Sequence, residues 1–286
     1  MANAVQPNNK GNGGAPAVYR NILLPVSRPG TVKSLVKIAC DLLAPGGRLR
    51  ILSVIEVPQQ LPYDYADTQK AAARKLLTAA VENARANSVE ALPEIVSARS
   101  ASEAILDLAD RYHSDLILMG SSQRTVPEKV LFGNVVDNVL RHAPCEVIIF
   151  SYTQQMYPVA YDRILVPTSG YKHAQRALDI AITFVRKFGG SITSLYVGSA
   201  SDAEKANIVL KRAEAHTARL EASGSTLFRT GNVVDKIVEE AVNGNYTLII
   251  IGSTERPGYY KFLLGSVADE IVKRAPCNVL VVRTKR

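Results

Sequence analysis

Short, wholly apolar runs alternate along this chain with longer stretches in which apolar residues recur every three or four positions. The first kind of run predicts a strand buried on both faces, the second an amphipathic helix. Residues 21–26, NILLPV, form the first predicted strand. Apolar residues at 35, 36, 38, 39, 42 and 43 predict a helix over 31–43, which Gly46-Gly47 should break. LRILSVIEV (49–57) reads as a second strand and QQLPYDYAD as a polar, proline-containing loop. The pattern then predicts a long Ala/Leu helix over 68–86, a strand over 94–98 and a helix over 102–111. DLILMG, a helix over 133–141 and EVIIF complete the series.

The same order then recurs. Strands are predicted at 164–167, 191–197, 226–230, 247–252 and 278–282, and helices at 171–188, 201–222, 233–243 and 266–274. RNILLPVS matches DRILVPTS, while Gly133, Pro144 and Cys145 match Gly265, Pro276 and Cys277 at one common offset. A period this long means duplicated domains rather than a solenoid. The predicted organisation is a disordered tail over 1–19, rich in Asn, Gly and Pro, then domains over 20–152 and 160–286 joined by a short linker.

Buried strands alternating with helices imply an α/β class with parallel sheets covered on both faces. Two doubly wound five-stranded domains are expected, each with a ligand crevice at the carboxyl ends of its first and fourth strands. Pro25, Val26, Ser27 and Gly120 would border that crevice in the first half, and Pro167, Thr168, Ser169 and Gly252 in the second. The stretch LIIIGSTERPGYYKFLLGSVADE runs from a strand through a glycine turn to a helix start at Gly265-Ser266. Free backbone N–H groups and the positive end of a helix dipole meet there, an arrangement suited to phosphate.

Composition narrows the picture. With 47% apolar residues, the 286-residue chain can build a core in each half. No window approaches the ~18 consecutive apolar residues of a membrane span, and the N-terminus lacks an apolar signal region. Three cysteines do not make a disulfide framework and fit a reduced, cytoplasmic setting; Cys40 sits in a helical stripe and Cys145 and Cys277 enter strands, so all three read as structural thiols. The net charge of +8 is spread without basic runs or interleaved aromatics, which argues against a nucleic-acid partner. His113, His142, His173 and His216 share no metal spacing and read as surface or capping residues, so no metal is expected. Neither a P-loop, nor a nucleophile elbow, nor a paired general base appears, which predicts a protein without catalysis.

Three features together carry a resemblance: the I-L-x-P start of each half, the strands ending M-G-S and I-G-S, and the tails G-[SN]-V…[KR]-x-A-P-C-x-V. Each half resembles a universal stress protein domain. The resemblance implies a Rossmann-like fold of the adenine-nucleotide alpha hydrolase kind, often dimeric, whose last strand makes the pairing contact. Two such domains in one chain can pair as a pseudo-dimer; a homodimer is the other form implied. The implied ligand is ATP or another adenine nucleotide, bound in at least the second domain. The binding loop of nucleotide-binding members looks like G-x2-G-x9-G-[ST], which falls on Gly120 and Gly133-Asn134, and on Gly252 and Gly265-Ser266. Its middle glycine is replaced by Gln123 and Glu255, where side-chain bulk and a carboxylate work against polyphosphate. Arg124, Lys129, Arg256 and Lys261 could offset that charge. Ser27 and Ser169 stand where ATP-binding members usually carry an acid. The implied contacts include Val267 on the helix and Val54 and Val197 on the second strands.

The Pro-x-Ser strand ends also resemble stress-protein domains appended to membrane transporters. The alternative they imply is a degenerate pair acting through protein contacts, on a transporter among other partners. Asn134 with Asp137, and Ser266 with Asp269, have the spacing of a helix cap, which explains Asn134 and Asp137 without a ligand, while the Ser266 hydroxyl can serve either a cap or a phosphate.

Overall fold

Strands that are apolar along their whole length must be covered on both faces. The computed structural model, which describes residues 18–122, 133–152, 159–253 and 265–284, covers them with helices. The first half runs β1 (Tyr19–Pro25), α1 (Pro29–Leu42), β2 (Leu43–Glu56), α2 (Asp67–Ala86), β3 (Ala91–Ala98), α3 (Ala101–Arg111), β4 (Leu116–Ser122), α4 (Asn134–His142) and β5 (Glu146–Tyr152). The second half repeats this as β6 (Arg163–Pro167), α5 (Lys172–Phe188), β7 (Ser191–Gly198), α6 (Ala203–Arg219), β8 (Gly224–Thr230), α7 (Val233–Asn243), β9 (Leu248–Gly252), α8 (Ser266–Arg274) and β10 (Asn278–Arg283).

The two predicted five-stranded sheets join into one ten-stranded sheet, ordered β3-β2-β1-β4-β5-β10-β9-β6-β7-β8. Pairing within each half is parallel. At the seam β5 and β10 run antiparallel, with Phe150 opposite Leu280 and Ile149 opposite Val281. Each strand thereby covers an apolar edge that would otherwise be exposed for association. Alternate residues of these strands feed different cores. Ile148, Phe150, Leu280 and Val282 pack with α1, α2, α5 and α6, whereas Val147, Ile149, Val279 and Val281 pack with α3, α4, α7 and α8. Both cores run across the seam, and burying each such side chain contributes roughly 1.5–3 kcal/mol.

Several local expectations are corrected. Tyr19, read as part of the tail, is 3% exposed and opens β1; residues 1–17 lie outside the described residues. Gly46-Gly47 does not separate a helix from a strand, because β2 already begins at Leu43. The pair instead forms a bulge, where the β1 register jumps from Leu43 to Arg48 and Gly46 takes φ +74°. β3 begins three residues before its predicted start and passes through Pro93, which an edge strand tolerates. The predicted helix over 201–222 is split: a 3-10 turn, Ala200–Asp202, is closed by a Ser199/Asp202 capping box, and α6 follows from Ala203.

The three cysteines are buried and form no disulfide, and burial pushes the thiols of Cys40 and Cys277 up to about 11 and about 12. Thiols held so far above neutrality are inert core residues. Among the described residues no helix is long and apolar enough to cross a membrane, and no group of His, Cys, Asp or Glu is placed to hold a metal.

Candidate functional site

β6 and β9 lie side by side, and their chains leave in opposite directions. β6 leads to α5 on one face of the sheet, while α8, the helix after β9, packs on the other. A cleft opens between strands at such a switch point. In the second half it is a cavity of ≈ 290 Å³.

Three local features shape it. Thr168 leaves β6 with its N–H still bonded to the Leu195 carbonyl (2.8 Å), so the chain stays in the sheet plane before turning. Gly252 ends β9 directly beneath the first turn of α5: a side chain there would collide with the His173 carbonyl and come within 2.9 Å of the Ala174 nitrogen. The absence of a Cβ is therefore what lets α5 sit on the strand end. Gly265 turns the chain into α8 at φ +93° and ψ 148°, a conformation that L residues avoid. Ser266, Val267 and Ala268 of the first helical turn, whose N–H groups have no acceptor within the helix, form part of the cavity lining.

Apolar groups from Leu195, Ile251, Ile237 and Ala174 line the wall, and the hydroxyl side chains of Thr168, Ser169 and Ser266 also border the space. Tyr171, 62% exposed, and Val233, 37% exposed, are the accessible large apolar lining residues, and Ser169 and Ser266 are exposed as well. The Tyr171 ring lies 5.9 Å from the His173 imidazole, tilted by 22°. Partial burial lowers the His173 pKa below its ordinary 6.5, which keeps the ring neutral at pH 7. Among the described lining residues there is no carboxylate, Lys or Arg. The site can thus hold a flat apolar group against its wall and offer hydroxyls and helix N–H groups to an anion, with no fixed countercharge from these residues.

Most second-half residues named from sequence meet here. Pro167, Thr168, Ser169, Val197, Gly252, Ser266 and Val267 all border the cavity, and Gly265 sets the turn immediately before it. Tyr171, His173, Tyr196, Val233 and Ile237 also border it and were not anticipated. The sequence reads His173 as a surface or capping residue; its place one residue into a helix that follows Pro-Thr-Ser is the clue to the cavity.

The first-half positions occupy matching points. Pro25 ends β1, and the Val26 N–H bonds the Leu52 carbonyl (2.8 Å) as Thr168 bonds Leu195. Val26 itself is core at 4% exposure, Ser27 and Asn134 are exposed, and Val54 is half-buried on β2. Gly120 faces the Leu35 side chain, 2.9 Å from where a Cβ would be, and Gly133 enters α4 at φ −67°.

The capping expectation does not hold. The N-cap positions of α4 and α8 are the glycines themselves, without a side-chain cap bond, so Asn134 and Ser266 are first helical residues. Asp137 instead pairs with Arg141 at 2.9 Å. Gln123, Arg124, Lys129, Glu255, Arg256 and Lys261 lie outside the described residues.

Comparison with known proteins agrees with the duplicated architecture. The sequence model of the universal stress protein family matches twice, at residues 18–151 and 160–283. A universal stress protein of Methanocaldococcus jannaschii is 28% identical over 140 residues, covering 43% of this chain and 82% of the relative. One from Bacillus subtilis is 21% identical over 147 residues, covering 43% of this chain and 99% of the relative. The crystal structure of a universal stress protein from Archaeoglobus fulgidus aligns with a TM-score of 0.68 at 22% identity, covering 92% of this chain and 97% of that one. At that identity the likeness bears on the fold alone. A twofold family match, spanning nearly the whole described chain on a doubled Rossmann-like fold, leads to one conclusion: this chain belongs to the universal stress protein family and carries its domain twice.

Proposed function

We propose that this tandem universal stress protein is a non-catalytic regulatory protein that binds an adenine nucleotide, of the ATP or AMP kind, in the cavity of its second half. The observation that carries the reading is the meeting of Gly252, the turn at Gly265 and the hydroxyls of Thr168, Ser169 and Ser266 around one cleft of ≈ 290 Å³. An apolar wall suits a base, and a helix start suits a phosphate. The non-catalytic part rests on the lining: among its described residues His173 is the one group titrating near neutrality, and no carboxylate there stands ready to orient it. A cytoplasmic setting accords with three reduced, buried thiols.

Calorimetric and thermal-shift titration with ATP, ADP, AMP and cyclic AMP tests this. A ligand present at a hundred times its Kd should add about 2.7 kcal/mol of stability. If no nucleotide produces heat or a melting shift at millimolar concentration, the reading is wrong.

A second reading applies to the first half. Gly133 sits at φ −67°, a conformation open to any residue, and the Leu35 side chain lies over Gly120. These favour a degenerate first domain that acts through protein contacts, with a membrane transporter as one class of partner. Retained binding after Gly133→Ala together with lost binding after Gly265→Val would assign the ligand to the second half alone.

A further inference from the structure

The cavity belongs to the second half, but one of its walls is tied to the first. α5 brings His173 and Ala174 to the cavity, its N-cap residue Tyr171 joins them there, and the helix carries Arg176 one turn further along. Arg176 reaches across the seam to Glu146, the first residue of β5. Its Nε lies 3.0 Å from both carboxylate oxygens and its Nη2 2.9 Å from Oε2. Glu146 also accepts the Tyr19 hydroxyl at 2.9 Å, and the guanidinium lies 5.2 Å from the centre of the Tyr19 ring.

This is not a solvated surface pair, because the two side chains are only 26% and 11% exposed. Burial opposes the charge of Arg176, but the hydrogen bonds and charge of Glu146 outweigh it and hold the guanidinium protonated above its usual range. Forked Arg–carboxylate pairs fix orientation as well as distance. We infer that Arg176 is a positioning residue for the second-half cavity: anchored to Glu146 of the other half, it sets the height and rotation of the first turn of α5 against Gly252.

Little slack exists for that turn to shift. The space a Cβ on Gly252 would need is already taken by the His173–Ala174 backbone. A displacement of α5 would therefore change the cavity wall itself. The internal repeat makes the device one-sided. In the alignment that matches Pro25 with Pro167 and Cys145 with Cys277, Ser34 stands where Arg176 does and Asn278 where Glu146 does. Ser34 of the first half and Asn278 of the second cannot form the corresponding ion pair.

A second tie between the halves provides a control. Near the other end of α5, Lys187 approaches Asp41 of α1 (3.7 Å), which also accepts the Tyr161 hydroxyl and Lys37, each at 2.8 Å. Asp41→Asn weakens the seam without touching the cavity end of the helix.

The inference rests on the nucleotide reading for its ligand, so the test has two arms on the full chain. In the first, ATP and AMP affinities are measured for Glu146→Gln, Arg176→Met, Arg176→Lys and Asp41→Asn. Glu146→Gln and Arg176→Met should weaken binding at least fivefold, Arg176→Lys should recover part of that loss, and Asp41→Asn should bind as the parent does even where it melts lower. In the second, amide exchange over residues 173–176 should quicken in Glu146→Gln and stay at the parental rate in Asp41→Asn. Equal losses of affinity in Glu146→Gln and Asp41→Asn, or unchanged exchange in Glu146→Gln, would overturn the inference. If the parent protein binds neither nucleotide, the ligand reading fails, and the exchange arm still decides whether Arg176 positions α5.

Discussion

Gly133 and Gly265 occupy the same place in the two halves and are there for different physical reasons. Gly265 turns into α8 at φ +93°, where a side chain is strained, whereas Gly133 turns into α4 at φ −67°, where it is not. Gly120 and Gly252 differ in the same direction. The space a Cβ would need is bounded by the rotatable Leu35 side chain in the first half and by the backbone of α5 in the second. Duplication preserved the letters, but only the second copy still uses the conformational freedom they provide. The identity of a glycine therefore says less about a site than its φ angle and the atoms facing it.

The sharpest way to break this comparison is to add one methyl group at each strand end. Gly252→Ala should cost about 3 kcal/mol, at the upper end of overpacking penalties, because helix backbone cannot step aside. Gly120→Ala should cost about 1 kcal/mol, since Leu35 can change rotamer. Urea unfolding of both variants measures the difference, and equal values would remove the distinction between the halves.

The helix-start glycines should show a smaller contrast. Gly265→Ala forces an alanine to positive φ and should destabilise by roughly 1–2 kcal/mol. Gly133→Ala should be neutral or slightly stabilising, because it restricts the unfolded chain at a compatible conformation. Thermal melts at fixed pH suffice to rank them.

The smallest effect concerns His173. Its folded pKa lies below the ordinary 6.5, so the unfolded chain binds the proton more readily. The stability this contributes is present above about 6.5 and is lost as pH falls through the lowered folded value. His173→Asn should flatten the stability-versus-pH curve in that window, a change to be read from melts across mildly acidic buffers. An unchanged slope would mean that the ring is solvated rather than part of the cavity wall.

Much of this molecule is written locally. Apolar runs such as LIIIG and EVIIF cannot be half-exposed strands, and the 3.6-residue stripes between them place the helices; these elements lie near their predicted positions. Errors gathered where short-range signals conflict with longer-range pairing. Gly46-Gly47 reads as a helix stop, yet β1 draws the chain into the sheet around a bulge. Asn134 and Ser266 read as caps, but the glycines before them take that position, and no spacing rule distinguishes the two cases.

By itself, then, the sequence determined the class, the repeat, the family and the strand ends at which a ligand would be sought, because burial patterns and turn chemistry act over a few residues. Tertiary structure alone decided the rest. It joined the halves through β5 and β10, brought Tyr171, His173 and Tyr196 into a wall with Ile237, and set Arg176 on Glu146. Those contacts join residues tens of positions apart through the docking of a helix on a sheet, and periodicity along the chain carries no record of which side chains that docking brings together.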